Sequence, residues 1–218
     1  MKLEAEYVPS SDRNYSHYDY NVTIDNHRIF ALADVCDKTA NKWLDHILRS
    51  HRPGTGGPLL VGISVERNPS YDSYDNLTIV CGSNCLILDI DPTNSTISRA
   101  LKIFFSNPNV VAVGVKIGEV ANQLFKDSGI EFGRIEDVNG LAVKGLKRED
   151  LNLAKYDLDR LANIVIGDHV DVVRPTGYIE WYEKPSSRWE PCTETKVKFV
   201  TRDAYLCFAI GEKLLPVL

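Results

Sequence analysis

The sequence predicts an α/β fold in which helices cover both faces of a mixed sheet. Three observations lead to this class: an early hairpin with a three-strand meander, an alternation of helices and strands in the middle, and a long helical stripe at residues 195–215. The 218 residues are 44% hydrophobic and 25% charged. That composition is ordinary for a globular protein and excludes a disordered or fibrous chain.

The first half of the chain is predicted to hold five strands and one helix. Residues 1–19 are polar and Tyr-rich, which favours a loose lead-in, and residues 20–218 are predicted to form a single domain. Asp25 and Asn26 indicate the turn of a hairpin. Residues 39–51 are predicted to be helical because their apolar side chains recur at helical spacing, namely Ala40, Trp43, Leu44, Ile47 and Leu48. The predicted strands are 21–24, 28–33, 59–66, 76–80 and 85–90, and residues 52–58 are a predicted linker.

The second half alternates between helices and strands. A short helix from residue 98 is predicted to end at Asn107-Pro108, and a buried strand follows at 110–116. The next amphipathic helix is predicted to end at Gly129, a typical helix C-cap. A brief strand, two helical segments within 135–146 and 156–167, and a polar aromatic loop at 171–192 follow in turn. The last helix carries an apolar stripe through Val197, Val200, Ala204, Cys207, Phe208 and Leu214.

Charge and composition also limit the functional classes. Thirty acidic residues against 25 basic ones give a net charge of -5, which argues against non-specific nucleic-acid binding. No apolar run approaches the roughly 20 residues that span a bilayer, so we expect no membrane partner. The polar first residues predict an intracellular protein of the nucleus or cytoplasm, not a secreted one. Five cysteines without metal-ligand spacing predict reduced thiols.

Three segments carry a resemblance to a known family. They are LLVGISVER at 59–67, VVAVGVKIGEVANQLF at 110–125 and FVTRDAYLCFAI at 199–210. In this order they resemble the Werner-type, plant-like 3'-5' exonucleases of the DEDDy group, from about Tyr20 to Leu215. The resemblance implies an RNase H-like fold with a mixed five- to six-stranded sheet. It also implies an active site in which carboxylates hold two Mg²⁺ or Mn²⁺ ions for phosphoryl transfer.

The resemblance places four metal-binding carboxylates, and this sequence retains two of them. The Asp-x-Glu pair of the first strand falls on Ser64 and Glu66. The Asp of the second motif falls on Val120, whereas the Asp of the third motif matches Asp203. Mg²⁺ requires several hard oxygen ligands, so the loss of two carboxylates predicts a degenerate site. We expect no cofactor, with Mg²⁺ or Mn²⁺ needed only if activity is retained.

Three further positions follow from the same resemblance. The family tyrosine that would orient the attacking water falls on Phe199. Glu119, one residue before Val120, is a candidate substitute ligand, although one residue along a helix turns the side chain by about 100°. Asp137 matches an acidic position of the family, for which a structural role is expected.

A second candidate surface combines basic and aromatic residues, a pattern that can hold single-stranded nucleic acid through phosphate contacts and stacking. Acidic residues are interleaved with these bases, so only weak binding is predicted. The candidate binding residues are Lys184, Arg188, Trp189, Lys196, Lys198 and Arg202.

The sequence leaves three functional hypotheses. The first is a pseudo-exonuclease with residual nucleic-acid binding or a scaffold role. The second is an active Mg²⁺- or Mn²⁺-dependent 3'-5' exonuclease on DNA or RNA that uses Glu66, Asp203 and Glu119. The third is an interaction module that binds a protein partner or itself, with the apolar helix at 39–50 as its support. A nucleophilic role for Ser64 is less favoured than strand packing, because no base lies nearby in the sequence.

Overall fold

The computed structural model describes residues 2–9, 17–33, 35–51, 57–67, 73–90, 98–167 and 193–217. Within these ranges the chain forms eight strands and six α-helices, with short 3₁₀ turns at Leu153–Lys155 and Leu215–Val217. The strands are β1 (Leu3–Val8), β2 (Tyr18–Ile24), β3 (His27–Ala33), β4 (Leu59–Arg67), β5 (Tyr74–Cys81), β6 (Asn84–Asp89), β7 (Val110–Gly114) and β8 (Ile135–Asp137). The helices are α1 (Asp37–Ser50), α2 (Arg99–Ser106), α3 (Ile117–Ser128), α4 (Val138–Leu146), α5 (Leu158–Val165) and α6 (Glu194–Leu214).

All of these strands belong to one mixed sheet in the order β1-β2-β3-β6-β5-β4-β7-β8. The first three strands pair antiparallel, as do β4, β5 and β6. Parallel pairs join β3 to β6, β4 to β7 and β7 to β8. The predicted hairpin, meander and α/β class are confirmed. The predicted strand number of five to six is wrong, because the described part of the chain contributes eight strands.

Strand β1 corrects the predicted N-terminal lead-in. Leu3, Ala5 and Tyr7 are half-buried, whereas Glu4 and Glu6 between them are exposed. This two-residue period is that of a strand with one face on the core, and β1 pairs with β2 along its whole length. Its high charge therefore marks the solvent face of an edge strand, not an unstructured segment.

The two faces of the sheet are covered by different helices. Helices α1, α2 and α3 pack over one face, in a core that includes Trp43, Phe104 and Leu124. Helices α4, α5 and α6 pack over the other, with α6 reaching from β2 and β3 to β7. Helices on both faces were predicted and are confirmed.

The remaining local predictions agree with the structure in part, since β7 ends at Gly114 and not at residue 116, and residues 135–137 of a predicted helical segment form β8. The stripe of α1 is buried through Ala40, Trp43, Leu44 and Ile47. Gly129 ends α3 in the left-handed conformation, with φ of 65°. Residues 52–56 of the predicted linker and the predicted loop at 171–192 lie outside the described residues. None of the described helices combines the length and apolarity that crossing a bilayer requires.

Candidate functional site

The position of α6 over β4 is set by a very close approach at Gly62. A Cβ atom at this position would lie 2.5 Å from the Phe208 amide nitrogen and 2.7 Å from Phe208 Cβ, and closer still to the Ala204 carbonyl oxygen. Further along α6, Gly211 lies against Leu60. Helix α6 therefore runs antiparallel to β4, and the residues before Ala204 lie toward the C-terminal half of the strand.

Strand β4 and its partner β5 present a polar strip to α6. Because side chains alternate along a strand, Ser64 and Glu66 share the face of Gly62. Ser64 is paired with Thr78, and Glu66 with Asn76. Three of these four side chains are buried, and Glu66 is only 7% exposed. Thr78 and Asn76 were missed by the sequence analysis, since their place opposite the motif follows from strand register alone.

Asp203 lies on the part of α6 that faces this end of β4, and it is paired with its own neighbour. Arg202 Nη1 donates a hydrogen bond to Asp203 Oδ1 at 2.8 Å. Arg202 Nη2 forms an ion pair with Asp159 of α5. The guanidinium is almost completely buried, at 2% exposure, and bridges two carboxylates from two helices. Asp159 is a site residue that the sequence analysis missed.

The second motif position is a core position. Val120 lies in the first turns of α3, is 6% exposed, and belongs to the apolar cluster on the face opposite α6. Glu119 is exposed. The two neighbours therefore point in different directions, as the roughly 100° step along a helix requires. Glu119 does not take the buried position of Val120.

Phe199 is also a packing residue. It is 4% exposed and lies in the cluster that α6 forms with β2 and β3. The Lys198 ammonium nitrogen lies 5.2 Å from the centre of the Phe199 ring, a cation–π geometry. Position 199 therefore keeps an aromatic ring but lacks the hydroxyl group that a tyrosine would carry.

The structure divides the predicted nucleic-acid surface. Lys184, Arg188 and Trp189 lie outside the described residues. Lys196 and Lys198, in the first turns of α6, are partly exposed. The predicted role of Arg202 does not fit its position, because a buried guanidinium that is paired with two carboxylates cannot contact a phosphate group.

The donor set of this region does not suit a pair of divalent cations. No group of three or more His, Cys, Asp or Glu residues within the described part of the chain is placed to hold a metal ion. In addition, the Asp203 carboxylate already accepts a hydrogen bond from a cation of the chain. We conclude that the described residues do not fit the Mg²⁺ or Mn²⁺ pair of the family that the sequence resembles.

Of the nearby thiols, Cys85 and Cys207 are buried and Cys81 is half-buried, and within the described ranges none belongs to a group of three or more metal-ligand side chains. Cys81 and Cys85 flank a tight turn, as predicted, and both are free. Burial raises the pKa of Cys85 to about 12 and that of Cys81 to about 11. Burial, with the nearby Asp203 carboxylate, also raises the pKa of Cys207. Burial therefore disfavours the thiolate, the form in which cysteine binds metal.

Asp137 has the structural role that was expected of it. Its carboxylate accepts hydrogen bonds from the backbone N–H groups of Asn139 and Gly140, at 3.0 and 3.1 Å, and so caps α4. Asn139 in turn donates to the carbonyl oxygens of Leu153 and Tyr156. This cap fixes the start of α4 against the 3₁₀ turn that leads into α5.

Replacement of Asp137 by Ala is expected to lower the free energy of unfolding by about 1 kcal/mol, since the capping acceptor is lost. Asp137→Asn keeps an acceptor oxygen and serves as the matched control, with a smaller loss. Urea unfolding followed by circular dichroism measures both. Equal losses in the two variants would mean that Asp137 acts through its charge and not as a cap.

Comparisons with known proteins give the fold a precedent. Neither the protein-family models nor the curated proteins contain a match to this sequence. Among solved structures, the chain is similar to Escherichia coli RNase D, an exoribonuclease involved in structured RNA processing. The sequence identity is 15%, the TM-score is 0.61, and the match covers 83% of this chain and 43% of RNase D.

A second similarity is to the EXD2 exonuclease domain, in crystals soaked in Mn and Mg. There the identity is 22%, the TM-score is 0.43, and 82% of this chain and 84% of that chain are covered. Crystals of the same domain soaked in Mn and GMP give a TM-score of 0.42. At such identities, similarity establishes architecture and leaves activity open. Together with the mixed sheet and its helices, the likeness to RNase D shows that this chain has an RNase H-like α/β fold.

Proposed function

We propose that this protein is a pseudo-exonuclease, an exonuclease-like domain of the Werner type whose metal-dependent site is degenerate. The single observation that carries the proposal is the burial of Val120 in the apolar core, at the position where the family has a metal ligand. A carboxylate there would have to leave that cluster to reach a cation. Ser64 and Phe199 are further departures from the motif.

The degeneracy has a physical consequence for catalysis. Two-metal phosphoryl transfer needs several converging carboxylates to offset the repulsion between two dications. Glu66 and Asp203 remain, and Asp203 is already paired with Arg202. Single losses of electrostatic stabilisers cost on the order of 10²–10³ in rate, so a combined loss should abolish measurable turnover.

Residual binding of a single-stranded nucleic acid is the retained activity that we propose. Lys196 and Lys198 offer partly exposed ammonium groups in the first turns of α6, the helix that also carries Asp203. Such contacts are electrostatic, so the affinity should fall as the salt concentration rises. A gel shift at several salt concentrations tests this, with Lys196→Gln as the variant. Absence of binding even at low salt would favour a scaffold or self-association role.

The decisive assay for catalysis is digestion of end-labelled single-stranded DNA and RNA with Mn²⁺ or Mg²⁺. We expect no shortening from the 3' end by the wild-type protein. Mn²⁺-dependent digestion that Glu66→Ala abolishes would contradict the proposal. The matched variant restores the motif as Ser64→Asp, Val120→Asp and Phe199→Tyr, and activity in that variant alone would show an intact scaffold with a dismantled site.

A further inference from the structure

We infer that the positive charge of this site is supplied by the chain itself, through the Arg202 guanidinium, in place of a divalent metal. The inference deepens the proposed function and rests on it, because it assumes a site that operates without metal. It concerns three residues of α5 and α6, namely Asp159, Arg202 and Asp203.

The geometry is that of a built-in counter-cation. Two nitrogens of one guanidinium are shared between two carboxylates, with Nη1 on Asp203 Oδ1 and Nη2 on Asp159 Oδ1. Arginine suits this task because its planar fork presents several donors in fixed directions and stays charged at any physiological pH. A lysine ammonium is a point charge and would not reproduce the planar fork.

Burial makes this arrangement different from an ordinary surface ion pair. Arg202 is 2% exposed, and the Asp203 side chain is 11% exposed. Within the described ranges, Arg202 Nε has no hydrogen-bond acceptor, so the two carboxylates provide the compensation that the charge receives there. Removing one member of a buried pair leaves the other charge uncompensated, which is strongly destabilising.

The arrangement also accounts for how an acidic site can stay folded without metal. Neighbouring carboxylates repel each other unless a cation lies between them, and most strongly where one of them is buried, as Asp203 is here beside the 41% exposed Asp159. In a metal-dependent site the ion supplies that charge. Here the guanidinium lies between Asp203 and Asp159, so the stability of the fold should be indifferent to Mg²⁺, Mn²⁺ or chelator.

The test is a double-mutant cycle on the free energy of unfolding, with Arg202→Met, Asp203→Asn and the double variant. Arg202→Met should lower the folding equilibrium constant by at least about a hundredfold. The double variant should be more stable than the two separate losses would predict, since the Asp159 carboxylate, at 41% exposure, is then the one member of the trio that keeps its charge. Arg160→Met is the matched control, because the Arg160 guanidinium is exposed and its contacts, a 3.9 Å pairing with Asp157 and a position 5.9 Å from the centre of the Tyr156 ring, lie at the surface. Arg160→Met should lower the folding equilibrium constant by less than about fivefold.

A metal titration gives a readout that a merely structural role of Arg202 would not move. In Arg202→Ala the two carboxylates lose their cation and gain space, so Mn²⁺ should raise the urea midpoint of this variant. It should leave the midpoints of the wild type and of Arg202→Ala/Asp203→Asn unchanged. Arg202→Lys keeps the positive charge, so it should lose less unfolding free energy than Arg202→Met. This variant provides a test if the Met and Ala variants do not fold.

Three outcomes would overturn the inference. They are a loss of unfolding free energy in Arg202→Met no larger than that in Arg160→Met, a coupling energy of zero between Arg202 and Asp203, and a urea midpoint of Arg202→Ala that Mn²⁺ does not change. If neither the Met nor the Ala variant folds, a lysine variant as unstable as they are would overturn it. None of these readouts depends on catalysis. Nucleic-acid digestion by the wild type would contradict the proposed function, whereas zero coupling would contradict only the role of Arg202.

Discussion

Gly62→Ala is expected to lower the free energy of unfolding by about 3 kcal/mol or more, at the upper end of the range for overpacked cores. The new methyl group would lie 2.5 Å from the Phe208 amide nitrogen, well inside van der Waals contact. The obstructing atoms belong largely to the backbone of α6, so no side-chain rotation relieves the overlap. Helix α6 must move away from β4, and the polar strip and Asp203 would separate with it.

The control for this change is Gly118→Ala, in the first turn of α3. A Cβ atom there meets no other atom within 4 Å. Alanine in a helix is favoured over glycine by about 1 kcal/mol, so this variant should be as stable as the wild type or slightly more stable. Urea unfolding followed by tryptophan fluorescence measures both variants. A Gly62→Ala protein within 1 kcal/mol of the wild type would show that α6 is not held by this close approach.

Val120→Asp is expected to be the second strongly destabilising change, although it restores a motif carboxylate. Burying a valine side chain contributes about 1.5–3 kcal/mol, and most of this is lost when a carboxylate replaces it. The new charge carries a desolvation penalty in addition. The nearby N-terminus of α3 favours a carboxylate by only about 0.3–1 kcal/mol. A net loss of about 3 kcal/mol is therefore expected.

Two further variants separate charge from packing at this position. Val120→Asn has the shape of the aspartate variant without its charge, so the difference between the two measures the buried charge. Glu119→Ala, at the neighbouring exposed position, should change the free energy of unfolding by less than about 0.5 kcal/mol. A Val120→Asp protein as stable as the wild type would mean that position 120 can turn toward the solvent or the site. The restored triple variant must accordingly be assayed at a temperature where it is folded.

Local sequence patterns predicted most elements of this fold. The stripe of α1, the apolar strands β4 and β7 and the Gly129 cap each depend on residues close in sequence, where side-chain period and turn chemistry decide the structure. Strand β1 was missed because its charged residues outweighed its alternation. The parallel pairing of β3 with β6 joins residues more than fifty positions apart, and no local pattern specifies it.

The candidate site was predicted only in part, for similar physical reasons. The motif positions Glu66 and Asp203 could be named from resemblance, and the structure places both in buried settings at the α6 face of the sheet. The pairing of Arg202 with Asp159 spans 43 residues and was not visible in the sequence. An arginine is usually exposed, and only the packing of α5 against α6 reveals that this one is buried.

Charge was a second limit of the sequence. The net charge of -5 argued against a polyanionic partner, but a net value does not show where each charge lies. In the structure Arg202 is buried, whereas Lys196 and Lys198 in the first turns of α6 are partly exposed. Any electrostatic contact of nucleic acid with the first turns of this helix therefore involves these two lysines, and Lys213 in its last turn is a further exposed basic residue.

The most direct test of the central claim, that this site holds no divalent metal, is isothermal titration of the wild-type protein with Mn²⁺. We predict no saturable binding heat even at millimolar metal, because Asp203 is paired with Arg202 and Val120 lies in the apolar core. Saturable Mn²⁺ binding that disappears in Glu66→Gln would contradict this claim. It would instead support the hypothesis of a metal-dependent exonuclease.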